Sequence, residues 1–131
     1  MKNSYALITG ASSGIGAEIA KKLAKKGYNL ILTARRKELL ENLANEIRQK
    51  HNVNVDLIAK DLSKYEAPKD IFDFCEENNY SVDFLVNNAG YGIKTSFHET
   101  SLEDEEDFIR VLGTSVIMLT KLFLPKMIEK G

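Results

Sequence analysis

Thr9-Gly10-Ala11-Ser12-Ser13-Gly14-Ile15-Gly16 is the stretch on which the fold of this 131-residue chain turns. It follows the apolar run Tyr5-Ala6-Leu7-Ile8 and precedes a segment in which Ile15, Ile19 and Leu23, with Ala20 and Ala24, share one helical face up to Gly27. Glycines between a strand and a helix permit a tight turn, close backbone approach to a pyrophosphate, and close helix–strand packing. The helix start offers unpaired N–H groups and a positive dipole end, and Ser12 and Ser13 add hydroxyl donors. The spacing is G-x-x-x-G-x-G, not the commoner G-x-G-x-x-G, and Ala17-Glu18 after Gly16 rules out a P-loop. Read alone, the octapeptide is also compatible with a glycine turn that binds nothing.

Working outward, short β-rich runs alternate with longer helical patterns. Leu30-Ile31-Leu32 reads as a second strand, and Leu39, Leu43 and Ile47, four apart, predict a helix to about His51. Val53 to Ala59 reads as a third strand. A helix from about Pro68 to Asn78-Asn79 follows, then a fourth strand from Val82 to Val86. Ser101-Leu102-Glu103-Asp104 has the form of an N-cap with acids in the first turn, and an apolar helix is expected from about Val111 to Ile128. Such alternation predicts right-handed βαβ units: one α/β domain over residues 1–131, a doubly wound parallel sheet with helices on both faces. In such sheets ligands lie at the carboxyl ends of the strands, where strand order reverses, and the unusual residues of this chain all fall there.

Composition narrows the function. Apolar and charged fractions are ordinary, and a net charge of −1 gives no reason to expect nucleic acid or an anionic membrane as partner. Lys21, Lys22, Lys25 and Lys26 fall on the outer face of a predicted helix and read as solvated. Cys75, the single cysteine, sits on an apolar helical face and reads as a buried thiol in a reducing compartment. The N-terminal apolar run is too short for a signal peptide's core and no later stretch is expected to span a membrane, so a cytoplasmic location is the expectation. No metal site is expected.

Thr9 to Gly16, Asp61-Leu62 after the third strand, Asn87-Asn88-Ala89-Gly90 after the fourth, and the Leu119 to Met127 stretch occur in one order along the chain. Together they resemble the short-chain dehydrogenase/reductase family. The resemblance implies a Rossmann-type sheet, here without its C-terminal strands, holding a nicotinamide dinucleotide on Gly10, Ser12, Ser13, Gly14, Ile15 and Gly16. It implies that Asp61 accepts from the adenine amine with Leu62 beside the ring, and that Asn88, Ala89 and Gly90 approach the ribose and nicotinamide. Asp61 is equally an ordinary turn residue after a strand. Asn87 is expected to bridge neighbouring strands.

Cofactor preference rests on Arg35 and Arg36. A site that prefers NAD places a carboxylate after the second strand for the ribose 2′-hydroxyl, and no Asp or Glu occurs from Asn29 to Lys37. Guanidinium groups pair with a 2′-phosphate where a carboxylate would repel it, so NADPH is the expected cofactor. A solvated arginine pair opening a helix is the alternative, though positive charge there opposes the dipole.

Family catalysis implies Ser, Tyr and Lys in a Y-x-x-x-K spacing, plus a helper Asn. The match Tyr65 to Lys69 falls too early, and Pro68 breaks the helical geometry, so it is read as coincidence. No catalytic residue is therefore assigned. The helper Asn aligns with Leu112, which cannot relay a proton. His98, a lone loop histidine, carries little weight. The leading expectation is the cofactor-binding half of an NADP(H)-dependent oxidoreductase acting on a carbonyl or alcohol, inactive by itself. A non-catalytic NADP(H)-binding or sensing module is the alternative, and a purely structural protein ranks last. The apolar terminal helix predicts a homo-oligomer formed through it.

Overall fold

The strands β1 (Ser4–Thr9), β2 (Asn29–Ala34), β3 (Val55–Ala59) and β4 (Ser81–Val86) pair in parallel in the order β3-β2-β1-β4. This is a computed structural model, and it describes residues 4–12, 14–90 and 95–131. The chain steps outward from β1 to β2 to β3, then crosses to the far side of β1 for β4. Order therefore reverses at β1, and the crevice between the carboxyl ends of β1 and β4 is the switch point expected from the alternation.

Each βαβ crossover explains which side chains are buried. Along β1 and β2 the residues Ala6, Ile8, Leu30 and Leu32 point to one face, where α1 (Gly14–Lys25) and α2 (Lys37–Lys50) cover them with Ala20, Leu23, Leu40 and Ile47. Tyr5, Leu7 and Ile31 point to the other face, against α3 (Ala67–Glu77) and α5 (Ser115–Lys130) through Ile71, Cys75, Leu119 and Phe123. Both faces of β1 are thus covered, so its sequence is nearly continuous in apolar residues rather than alternating. Cys75 is fully buried, and burial pushes its thiol up to about 12, which bears out an unreactive core residue.

Strand and helix limits differ from expectation in two places. β3 begins at Val55, because Val53 and Asn54 lie in the turn that ties Asn54 N–H to the Asn29 side chain. The second difference is larger. A short 3₁₀ turn (Phe97–Glu99) precedes Ser101, whose hydroxyl accepts from Asp104 N–H at 3.0 Å while the Asp104 carboxylate accepts from Ser101 N–H. This capping box starts α4 (Leu102–Ile109), which passes through a π turn (Arg110–Thr114) directly into α5. The expected helix from Val111 is therefore the second half of a continuous run, Leu102–Lys130, of 29 residues. With a mean hydropathy of 1.5 over its most apolar window, that run is long and apolar enough to cross a membrane by length and composition, contrary to the expectation that no stretch approaches spanning length.

Polar contacts pin the end of α5 to the sheet and to α3. Lys126 Nζ meets Glu76 at 2.6 Å, and Lys130 Nζ meets Asp83 at 2.8 Å. Asp83 also accepts from the hydroxyls of Ser4 and Ser81. Burial alone would raise the Asp83 carboxyl, but the hydrogen bonds from Lys130, Ser4 and Ser81 and the lysine charge outweigh it and hold the carboxyl below its ordinary value. A depressed carboxyl stabilises the fold above its unfolded pKa of about 3.9, and the contribution disappears as pH falls through the folded value. Asp83→Asn should cost about 0.5–1 kcal/mol in urea unfolding at pH 7, the partly exposed site discounting more. The difference should shrink as pH falls through the folded value; a difference unchanged on acidification would show that the carboxylate charge is not its source.

Candidate functional site

Thr9 ends β1, and its hydroxyl organises the switch point. Thr9 Oγ1 accepts from Asn88 N–H and Ala89 N–H, both at 2.9 Å, and donates to Val86 O at 3.4 Å. The Asn88 side-chain amide donates to Gly10 O at 3.2 Å. These bonds draw the turn after β1 against the end of β4. Glycine is required for that approach. A Cβ on Gly16 would lie 2.2 Å from Gly10 O and 2.5 Å from Asn88 Nδ2, and one on Gly10 would lie 2.8 Å from Ala89 Cα. Gly10 and Gly14 also hold φ near +60°, the left-handed region.

Around this turn opens a cavity of about 460 Å³ at the carboxyl ends of the strands. Gly10, Ser12 and Ile15 line its floor, Arg35 and Arg36 its β2 wall, Asp61 and Leu62 its β3 wall, and Asn88, Ala89 and Gly90 its β4 side. Ten of the thirteen residues expected at the site are therefore brought to one cavity. Of the other three, the two that are described do not line it. Gly16 is buried beneath the turn, where it acts by packing; Gly14 opens on the outer side of α1; Ser13 lies outside the described residues. Gly90 lines the cavity, and a Cβ there would lie 2.7 Å from Leu112 Cδ2, so this glycine also makes room for the helix. One further expectation, that for Asn87, is corrected. Asn87 does not bridge strands: its amide faces Thr120 Oγ1 on α5 at 3.5 Å, and Thr9 makes the bridge between strands. Tyr65 stands ahead of α3, exposed and over the Arg110 guanidinium, so it shares no helix face with Lys69. His98 is exposed in the 3₁₀ turn and does not line the cavity.

Sequence reasoning missed several lining residues. Lys60, Ser63 and Lys64 flank Asp61, and Asp107 and Val111 come from the α4 and π-turn segment. The loop residues carry no motif, and the helix residues reach the cavity only because the capping box and π turn set their phase. Within the π turn Ser115 N–H reaches back to Arg110 O, and Ser115 Oγ donates to Val111 O at 2.8 Å. Thr33 on β2 is another such residue. It lines the cavity, is fully buried, and its hydroxyl has no partner among the described residues.

Electrostatically the cavity is positive, with Arg35, Arg36, Lys60 and Lys64 set against the carboxylates of Asp61 and Asp107. Burial raises Asp61, but hydrogen bonds from Ser63, with the charges of Arg35 and Lys64, prevail and keep the carboxyl below its usual range. The first turn of α1 carries no acid to compensate its dipole. A bare glycine turn, a positive helix end, an orphaned buried hydroxyl and two guanidinium groups fit the diphosphate and adenosine parts of a nicotinamide dinucleotide.

Sheet order, switch-point cavity and glycine turn define a dinucleotide-binding type of α/β domain. The chain belongs to the short chain dehydrogenase family, whose family model matches residues 4–131. Among curated proteins it is 37% identical over 132 residues to the very-long-chain 3-oxoacyl-CoA reductase of Vanderwaltozyma polyspora, covering 95% of this chain and 37% of that protein. The chain thus spans little more than a third of that relative's length. Among solved structures, L-sorbose reductase from Gluconobacter frateurii, complexed with NADPH and L-sorbose, superposes with a TM-score of 0.90 at 30% identity, covering all of this chain and 51% of that one. An alcohol dehydrogenase from Thermococcus sibiricus, complexed with 5-hydroxy-NADP, superposes with a TM-score of 0.86 at 38% identity, over 95% of this chain and 53% of that one.

The packing at the turn makes a prediction that separates two glycines. Gly16→Ala must push backbone apart and should cost about 2–3 kcal/mol in denaturant unfolding. Gly14→Ala meets open space and should cost only the left-handed φ, about 1 kcal/mol. Equal costs would mean that the turn is not held against β4 as described.

Proposed function

We propose that this chain is the cofactor-binding part of an NADP(H)-dependent oxidoreductase that interconverts a carbonyl and an alcohol. The observation that carries the reading is the cavity in which the glycine turn, Arg35 and Arg36 face one another across the carboxyl ends of β1 and β2. A nicotinamide dinucleotide supplies the hydride; the protein's part is to bind and orient it. Gly10, Ser12, Ile15 and the α1 N-terminus hold the diphosphate, with Ser13 and Gly14 in the same turn and Gly16 letting it close. Asp61 and Leu62 hold adenine, Arg35 and Arg36 the 2′-phosphate, and Asn88, Ala89 and Gly90 the nicotinamide ribose side. The relatives above that are complexed with NADPH and 5-hydroxy-NADP support a 2′-phosphorylated cofactor, and reductases of 3-oxoacyl-CoA and of L-sorbose support a carbonyl substrate.

Leu112 favours a second reading. It occupies the position of the family's helper Asn and packs against Gly90, so an apolar group stands where a proton relay is expected. That feature suits a module that binds or senses NADP(H) without turnover. Self-association belongs to either reading: Ile109, Leu112, Ile117, Leu124 and Ile128 are exposed along α4 and α5, and a second copy of the chain is the proposed cover.

Side-by-side titration should show NADPH binding at least tenfold tighter than NADH, and Arg35→Asp should abolish or reverse the preference. Equal affinities, or an indifferent mutant, would remove the phosphate clamp. In sedimentation at tens of micromolar the chain should run as a dimer or larger, with Ile117→Lys shifting it toward monomer; a monomeric wild type would contradict the proposed interface.

A further inference from the structure

Two charges of opposite kind meet in the β2–β3 corner of the cavity. Lys60 N–H donates to Ala34 O at 3.0 Å, so the residues that follow the two strands leave the sheet side by side. Arg35 and Arg36 emerge from β2, and Asp61 emerges from β3. On the proposed function, Asp61 stays ionised to accept from adenine while the arginines bind a dianionic 2′-phosphate on the same ribose. Like charges this close oppose each other, and an enclosed, partly desolvated cavity strengthens the repulsion. A carboxylate here should therefore work against the phosphate unless something offsets it.

Lys64 is placed to do so. The loop Asp61–Lys64 is a closed turn: Lys64 N–H donates to Asp61 O at 3.0 Å, and Ser63 N–H donates to Asp61 Oδ1 at 2.9 Å. The root of the lysine is thus fixed relative to the carboxylate, and Lys64 lines the same cavity as the arginines. The neighbouring Lys60 is engaged elsewhere, with Asp70 at 3.2 Å. Lys64 meets no carboxylate within ion-pair distance among the described residues. Its charge nevertheless acts on Asp61, as does that of Arg35, and both help to keep the carboxyl ionised.

We propose that Lys64 is a specificity-determining residue: its ammonium offsets the Asp61 carboxylate, so that an adenine acceptor and a 2′-phosphate can occupy one cavity. This rests on the NADP(H) reading above and adds a residue from the loop after β3 to the arginine clamp.

The test titrates the whole chain with NADPH, NADH and adenosine 2′,5′-bisphosphate at low and high salt. Lys64→Met should weaken NADPH and the bisphosphate about three- to tenfold at low salt, shrinking as salt rises, and leave NADH within about twofold. Lys64→Arg should keep wild-type preference. In an Asp61→Asn background the Lys64→Met effect should fall to about twofold or less, because the carboxylate that Lys64 offsets is gone. Equal losses for NADPH and NADH would show a role in loop shape only. No loss for either would show a solvated lysine, and a full effect surviving in Asp61→Asn would show a direct phosphate contact; each overturns the proposal. A wild type without NADPH preference would overturn the parent reading together with this one. A preference lost with Arg35→Asp but kept with Lys64→Met would overturn this one alone.

Discussion

The structure depends on one close approach of backbone to backbone. The turn after β1 lies against the end of β4 with no side chain between Gly16 and Gly10 O, and the Thr9 hydroxyl and Asn88 amide bridge the same gap. From this contact follow the direction in which α1 leaves the sheet and the aim of its free N–H groups into the switch-point crevice. The sheet order then brings β2 and β3 alongside, so that residues from Thr33 onward furnish the remaining walls. Loss of any one wall residue would change affinity; loss of the close approach would remove the site.

Much of this was legible in the sequence, for identifiable reasons. β1 and β2 are buried on both faces, so their apolar runs are unambiguous, and α1 and α2 each bury one stripe that recurs at helical spacing. The glycine turn was legible because Gly10 and Gly16 leave no room for a Cβ and Gly10 and Gly14 hold a positive φ. Asp61, Asn88, Ala89 and Gly90 could be placed because they end strands, and strand ends in a parallel sheet converge. What failed depended on longer-range facts. Val53 continues an alternating pattern, yet the Asn29–Asn54 bond starts β3 two residues later. The packing role of Gly90 could not be read locally, because its neighbour Leu112 arrives from a helix 22 residues on. Lys64 and Thr33 belong to no motif; their place in the cavity follows from turn geometry and register.

The C-terminal helix is where sequence reasoning was least complete. Capping chemistry at Ser101 and the apolar stretch after Val111 were both visible, but their fusion through a π turn was not, since one widened turn leaves no compositional mark. That turn sets which residues face the cavity: Val111 and Asp107 line it, and Leu112 closes on Gly90. The same run presents Leu119 and Phe123 to the core while Ile117, Leu124 and Ile128 stay exposed, so one helix serves the site, the core and an uncovered apolar surface.

The most direct measurement of the central claim is an amide NMR titration of the isotopically labelled chain with NADPH. The account predicts that the largest shifts fall on the backbone N–H groups of Gly14, Ile15 and Gly16 at the start of α1, joined by Ala89 and Gly90 after β4. Saturable binding that leaves those amides in place, with shifts gathered on some other surface, would contradict it.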